Sequence, residues 1–387
     1  MNKQIMLKYA GGLLLAACLT TGGCSGNDPE EQGPDTEETF PPAVPDRPDA
    51  SEEIPLSVPC DKEATLQTQR LYSFLHLVYG QKCLSSTMAS VNWNTTEADF
   101  VFRLTGKYPA IHCFDFIHLP YSPSDWIDYT DLTPVRQWAE AGGIVSLMWH
   151  FLVPEKENST EYTYDPERTT FRPLKALESG TWENVCYQAQ LNQLCATLSA
   201  LQSAGIPALW RPFHEAAGNA PTGGKAWFWW GSDGASAYVR LWRQLYDDLQ
   251  ERGIHNLIWV WTAQNNGDDD WYPGDDYVDI VGRDLYGQNA TACAAEWTAL
   301  SEKYADKMVA LTECGNAVTG RKVINEQATI GEQWSSKGVR WLYFMPWYDY
   351  EYDNAQAAEN VMCSDKFWQN ALSRSFVLTR DDVKSIY

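Results

Sequence analysis

A closed (β/α)8 TIM barrel is the fold class that the sequence predicts, and two observations carry the prediction. Eight apolar, β-compatible segments succeed one another within residues 61–387, most of them separated by amphipathic stretches of helix length. The polar residues able to do chemistry gather where those segments end, as they do at the carboxyl ends of barrel strands. An open doubly wound sheet is the alternative, but it would carry a Gly-rich phosphate turn after its first strand, and the chain has none.

In order, a helix is expected over residues 62–79, leading to a first strand at 83–87. Further strands are expected at 110–117, 143–151, 206–213, 256–262, 279–286, 308–313 and 339–347, with amphipathic helices at 185–203 and 235–251 among the connections. Two segments precede the barrel. Residues 1–24 resemble an export signal, with Lys3 and Lys8 ahead of an apolar stretch too short to span a bilayer. Cys24, or alternatively Cys18, is then a lipidation site, and a lipid anchor is the expected membrane contact. Residues 25–60 hold ten acidic residues, one Arg and many Pro, and read as an acidic tether that cannot bury enough apolar surface to fold.

Composition narrows the ligand. With 51 acidic against 29 basic residues and a net charge of -22, nucleic acid and other polyanions are excluded as partners, and a neutral or cationic ligand is favoured. The 18 Trp, 20 Tyr and 13 Phe are an unusual load, and flat indole faces suit stacking on sugar rings. Eight cysteines follow the tether with no CxxC pair, and no HExxH occurs because Ala216-Ala217-Gly218 follows Glu215. Neither a metal nor a cofactor is therefore expected, although export would permit disulfides.

Residues 206–231 concentrate the chemistry. Glu215 falls where the fourth strand gives way to a Gly- and Pro-bearing loop, among aromatic and apolar neighbours that raise a carboxyl pKa. Glu313 closes the apolar run of the seventh strand. Carboxyl groups on strands four and seven of a closed barrel face each other across its mouth and can flank one glycosidic bond, one as acid and the other as nucleophile or base. Period-two alternation puts Arg211, Phe213 and Glu215 on one face, Asp284 and Tyr286 on one face, and Tyr343, Met345 and Trp347 on one face. His214 falls opposite, so its entry into the site would need a twist or bulge before Glu215. His150 ends strand three, Trp347 is a candidate stacking floor, and one or two of the run Trp227-Phe228-Trp229-Trp230 are expected to be core.

Trp210-Arg211-Pro212-Phe213-His214-Glu215, the run from Trp227 to Gly231, Trp271-Tyr272-Pro273-Gly274, Asp284-Leu285-Tyr286 and Thr312-Glu313 together resemble glycoside hydrolase family 26, chiefly β-mannanases. His before the acid/base Glu, where most families of the same clan have Asn, is part of that resemblance. It implies Glu215 as acid/base, Glu313 as nucleophile, and retaining hydrolysis of β-1,4-mannosidic bonds in mannan or galactomannan. It implies further that His150, Arg211, His214, Asp284, Tyr286 and Trp347 line the subsite of the attacked sugar, with Trp227 on the leaving-group side. The loop 216–226 is longer than is usual in the family. The signal and tether resemble those of bacterial glycan-utilisation lipoproteins at the outer membrane, and a monomer is expected. Two other readings stand beside this one: hydrolysis of another neutral β-glycan such as β-glucan or xylan, and a non-catalytic surface glycan-binding lipoprotein.

Overall fold

The structure is a computed structural model that describes residues 55–90, 93–264, 267–319, 322–349, 362–383 and 386. The expected signal, both candidate lipidation cysteines and the tether up to residue 54 lie outside the described residues. Eight parallel strands, β1 (Cys83–Met88), β2 (Ile111–Asp115), β3 (Ile144–Trp149), β4 (Ala208–Pro212), β5 (Leu257–Ala263), β6 (Ile280–Tyr286), β7 (Met308–Gly315) and β8 (Tyr343–Pro346), pair in sequence order. The sheet closes where Leu84 and Ser85 of β1 pair with Tyr343 and Phe344 of β8. A short strand, Val377–Leu378, also pairs with the start of β1.

Each strand alternates between two apolar layers because successive side chains point to opposite faces. Ile111, Cys113, Leu209 and Ile280 join the cluster that fills the barrel, whereas Phe114, Trp210 and Val281 join the layer beneath the helices. The helix that precedes β1, α1 (Leu66–Val78), contributes Leu71 and Leu75 to the inner cluster. The Thr65 N–H bonds the carbonyl of His255, just before β5, so α1 seals the end of the barrel opposite the strand carboxyl ends.

The outer helices are α2 (Thr96–Thr105), α3 (Thr133–Glu140), α4 (Trp182–Ser203), α5 (Ala235–Glu251), α6 (Ala290–Lys303), α7 (Ile330–Lys337) and α8 (Asp365–Leu372). Several start at side chains that satisfy a free backbone N–H: Thr181 for α4, Asn289 for α6 and Thr329 for α7. The βα repeat departs from the expected eight at one place. Two 3-10 turns, Asp269–Trp271 and Asp275–Tyr277, stand after β5 where an α-helix would.

The reading of the aromatic residues needs correction. Trp149, Trp210, Trp229, Trp230, Trp242, Trp259, Trp261 and Trp341 are among the largest fully buried side chains, so much of the tryptophan excess is core. In the run 227–230, three residues are buried and only Trp227 is half-exposed. All eight described cysteines are free thiols. The fold also takes hold of the chain slightly before residue 61, since the Ser57 N–H bonds Ser73 Oγ and the Cys60 N–H bonds Asp279 Oδ1.

Candidate active site

Four adjacent strands meet on one side chain. Arg211 projects inward from β4 and is 2% exposed. Its Nε donates to Thr262 Oγ1 on β5 at 2.7 Å, Nη2 to Asp284 Oδ2 on β6 at 2.5 Å, and Nη1 to Glu313 Oε1 on β7 at 2.7 Å. The second oxygen of each acid is also occupied. Thr312 Oγ1 donates to Asp284 Oδ1 at 2.6 Å, and the Tyr286 hydroxyl donates to Glu313 Oε2 at 2.6 Å. Glu313 thereby accepts one hydrogen bond on each oxygen, from Arg211 and from Tyr286.

Glu215 completes the cluster. One carboxyl oxygen from each of Glu215, Asp284 and Glu313 lies within 4.8 Å of the others. Such a trio can ligate a cation, but Arg211, Thr312 and Tyr286 already occupy the oxygens of two of its members. Burial first, then the charges of Asp284 and Glu313, push the Glu215 pKa well above the ordinary carboxylate value, with Arg211 opposing. Asp284, which shares a hydrogen bond with Glu215, is raised to about 7 by burial and by Glu313, against the pull of Arg211. Burial disfavours the charge on Arg211, yet the facing carboxylates outweigh it and hold the guanidinium more firmly protonated than usual. Three carboxyl groups around one guanidinium keep a proton, and Glu215 is its natural seat.

The backbone explains how His214 enters. Alternation is broken after Pro212 because Phe213 has φ 48° and Glu215 has φ 51°, left-handed values that are uncommon outside glycine. Phe213 accordingly leaves the face of Arg211 and packs in the outer layer against Trp149, Phe151 and Trp230. His214 turns inward, its Nε2 3.8 Å from Glu313 Oε1, while its backbone carbonyl accepts from Trp230 Nε1 at 2.8 Å. The expected shared face of Arg211 and Phe213 is therefore wrong, and the expected twist before Glu215 is present. Burial, with His150 and Arg211 nearby, pushes His214 well below its usual value and keeps it neutral. Gly231 guards this turn, because a Cβ there would stand 1.9 Å from the Ala216 carbonyl oxygen.

The remaining expected residues frame the mouth. His150 follows β3 with its ring 4.2 Å from His214 and 5.8 Å from Trp347, centroid to centroid. Trp347 is buried just past β8, its N–H bonded to the Cys314 carbonyl. Trp227 is half-buried at the end of the long loop and packs against the outer apolar layer. Sequence reasoning missed Asp115, Thr262, Thr312 and Phe228. The first two stand at the ends of β2 and β5, so the same inspection of polar strand ends could have found them. Thr312 was in view only as the residue before Glu313.

The family model described as Glycosyl hydrolase family 26 matches residues 60–382. A mannan endo-1,4-β-mannosidase of Thermothelomyces thermophilus is 33% identical over 83% of this chain and 62% of its own length. A mannan endo-1,4-β-mannosidase A of a Piromyces species is 28% identical over 72% of this chain and 43% of its own. The chain thus spans less than two thirds of these curated relatives. Among solved structures, the GH26 domain of an endo-β-mannanase/endo-β-glucanase from Prevotella bryantii is 46% identical with a TM-score of 0.78, covering 84% of this chain and 98% of that one. A β-mannanase from a symbiotic protist of the termite Reticulitermes speratus, complexed with a gluco-manno-oligosaccharide, is 31% identical with a TM-score of 0.69 over 86% and 99% of the two chains.

Raised carboxyl pKa values fix how these groups affect stability. As pH rises, the unfolded chain releases its protons first while the folded site keeps them, so the contribution of Glu215 and Asp284 is full at acid pH and is lost on the way up. For Asp284 the window runs from the ordinary carboxylate range to about 7. Each group can remove up to about 1.4 kcal/mol per pH unit inside its window. Thermal unfolding of Glu215→Gln between pH 5 and 8 should therefore decline less steeply with pH than that of the unaltered protein; equal slopes would mean that Glu215 titrates normally.

Proposed function

The chain belongs to glycosyl hydrolase family 26, and from that premise we propose that it is a retaining hydrolase of β-1,4-mannosidic bonds in mannan and galactomannan. The observation that carries the reading is the pair Glu215 and Glu313, with oxygens within 4.8 Å of each other and environments that separate their protonation. Retaining glycosidases need two carboxyl groups about 5 to 5.5 Å apart, too close for an intervening water, with one protonated and the other ionised. The mannanase names of the relatives and the ligand in the termite symbiont's enzyme support the substrate class.

In the first step Glu215 gives its proton to the glycosidic oxygen while Glu313 attacks the anomeric carbon. The C–O bond to the leaving sugar breaks, and a covalent glycosyl ester forms on Glu313. Arg211 and Tyr286 orient the attacking carboxylate, and the loss of its charge on esterification lowers the proton affinity of Glu215. Ionised Glu215 then takes a proton from water as the water oxygen attacks the same carbon; the ester bond to Glu313 breaks, its carboxylate is released, and the sugar leaves with its original configuration. His150, His214 and Trp347 bound the space beside these groups and are assigned to the attacked sugar, and Trp227 to the leaving-group side. A neutral His214 and an acidic chain both suit an uncharged polysaccharide.

The proposal extends to location. Lys3 and Lys8, the apolar stretch after them and Cys24 support export and a lipid anchor at the outer membrane, with the acidic segment as spacer. Labelled palmitate should enter the exported full-length chain and be lost in Cys24→Ala; label retained there but lost in Cys18→Ala would move the anchor to the alternative cysteine, and label in neither would remove the anchor.

Activity is decided on soluble domain incubated with unbranched mannan, galactomannan, mixed-linkage glucan and xylan, followed by product size. Glu215→Ala should lower turnover of mannan by about 10²- to 10⁴-fold and be less impaired on aryl mannosides whose leaving group needs no proton. Glu313→Ala should be inactive, and azide should restore turnover as a glycosyl azide of inverted configuration. Absence of that product would remove Glu313 from the nucleophile role, and preference for glucan or xylan would replace mannan as substrate.

A further inference from the structure

Asp115 ends β2 with a buried carboxylate that takes both polar groups of one neighbour. Its Oδ1 accepts the backbone N–H of His150 at 3.1 Å, and its Oδ2 lies 2.6 Å from His150 Nδ1. Both side chains are 5% exposed. The backbone that carries this carboxylate is itself fixed. The Tyr129 hydroxyl donates to the Asp115 carbonyl at 2.7 Å and accepts the His118 N–H at 3.1 Å, and the Phe116 N–H continues the sheet to the Met148 carbonyl.

A carboxylate has only lone pairs to offer, so the short contact requires the proton on Nδ1 of the ring. A neutral imidazole protonated there carries a bare lone pair at Nε2, at the far end of the ring from Asp115. Around that ring stand His214, Trp347 and Phe228.

We propose that Asp115 is a positioning residue that locks His150 in the Nδ1-protonated form and so makes its Nε2 an acceptor for a hydroxyl of the sugar being cleaved. This rests on the glycosidase reading for the ligand, but the protonation state of His150 does not. Asparagine at 115 would offer one acceptor oxygen to two donors. With that oxygen on the backbone N–H, the amide NH2 faces Nδ1 and drives the ring proton to Nε2, turning an acceptor into a donor.

The test is a long-range 15N–1H correlation spectrum of the folded domain labelled in histidine, with kinetics on a soluble mannooligosaccharide. The unaltered protein should show His150 neutral with its proton on Nδ1, and Asp115→Asn should show it on Nε2. Asp115→Asn should lose about 10- to 100-fold in kcat/KM, the scale of loss when the partner that orients a metal-bound histidine is removed. Introduced into His150→Ala, the same change should cause no further loss. An imidazolium or an Nε2-protonated ring in the unaltered protein overturns the proposal, as do independent, multiplicative losses in the double variant. Should Asp115→Asn not fold, the spectrum of the unaltered protein still decides. Inactivity of the unaltered protein on every β-mannan would sink the glycosidase reading, leaving the tautomer to be judged on the spectrum alone.

Discussion

One buried guanidinium organises the open end of this barrel. Removing a positive charge from water costs several kcal/mol, and the cost is met only when every donor finds an acceptor in good geometry. Arg211 satisfies that demand by reaching β5, β6 and β7 from β4, so three neighbouring strands must keep their relative heights for the site to exist. The closed sheet supplies that constraint, and the apolar filling beneath, sealed by α1, keeps water from relieving it. Excess negative charge at the site follows from the same cluster. Three carboxyl groups share one positive partner, which is why a proton stays on Glu215 at a pH where an exposed glutamate would have lost it.

Division of labour between two otherwise similar glutamates comes from what surrounds them. Glu313 receives a hydrogen bond on each oxygen, from Arg211 and from Tyr286. Glu215 sits on a left-handed residue past the strand end, deprived of water and facing two other acids. Asp284, bound by Thr312 and Arg211 and linked to Glu215, is placed to tune its neighbour's proton. On the proposed reading the backbone strain at Phe213 and Glu215 is offset by the packing of Phe213 beneath the helices and by the close approach of Gly231.

The barrel was legible because its signals are local and repeat. Each expected strand overlaps an observed one, the helix at 235–251 has those bounds, and the strand-end positions of Glu215 and Glu313 follow from the apolar runs before them. What escaped the sequence depended on backbone angles or on partners far away in the chain. Nothing in Pro212-Phe213-His214-Glu215 contains the glycine that normally announces a left-handed turn, so alternation put Phe213 in the site and His214 outside it. Indole faces suit stacking on sugars on chemical grounds, but a closed barrel ringed by helices also has wide outer gaps that large indoles fill. Asp115 carries meaning only through His150, 35 residues away, and a polar residue at a strand end does not declare which neighbour it will hold.

Because everything turns on the proton retained among Glu215, Asp284 and Glu313, the most direct measurement is the carboxyl 13C shift of Glu215, assigned through Glu215→Gln and followed with pH in the domain without ligand. The account requires that signal to titrate well above the range of an exposed glutamate, with a further inflection from its coupling to Asp284. A single transition at the ordinary glutamate value would contradict it, because the two glutamates would then be chemically alike and the site would lack its acid.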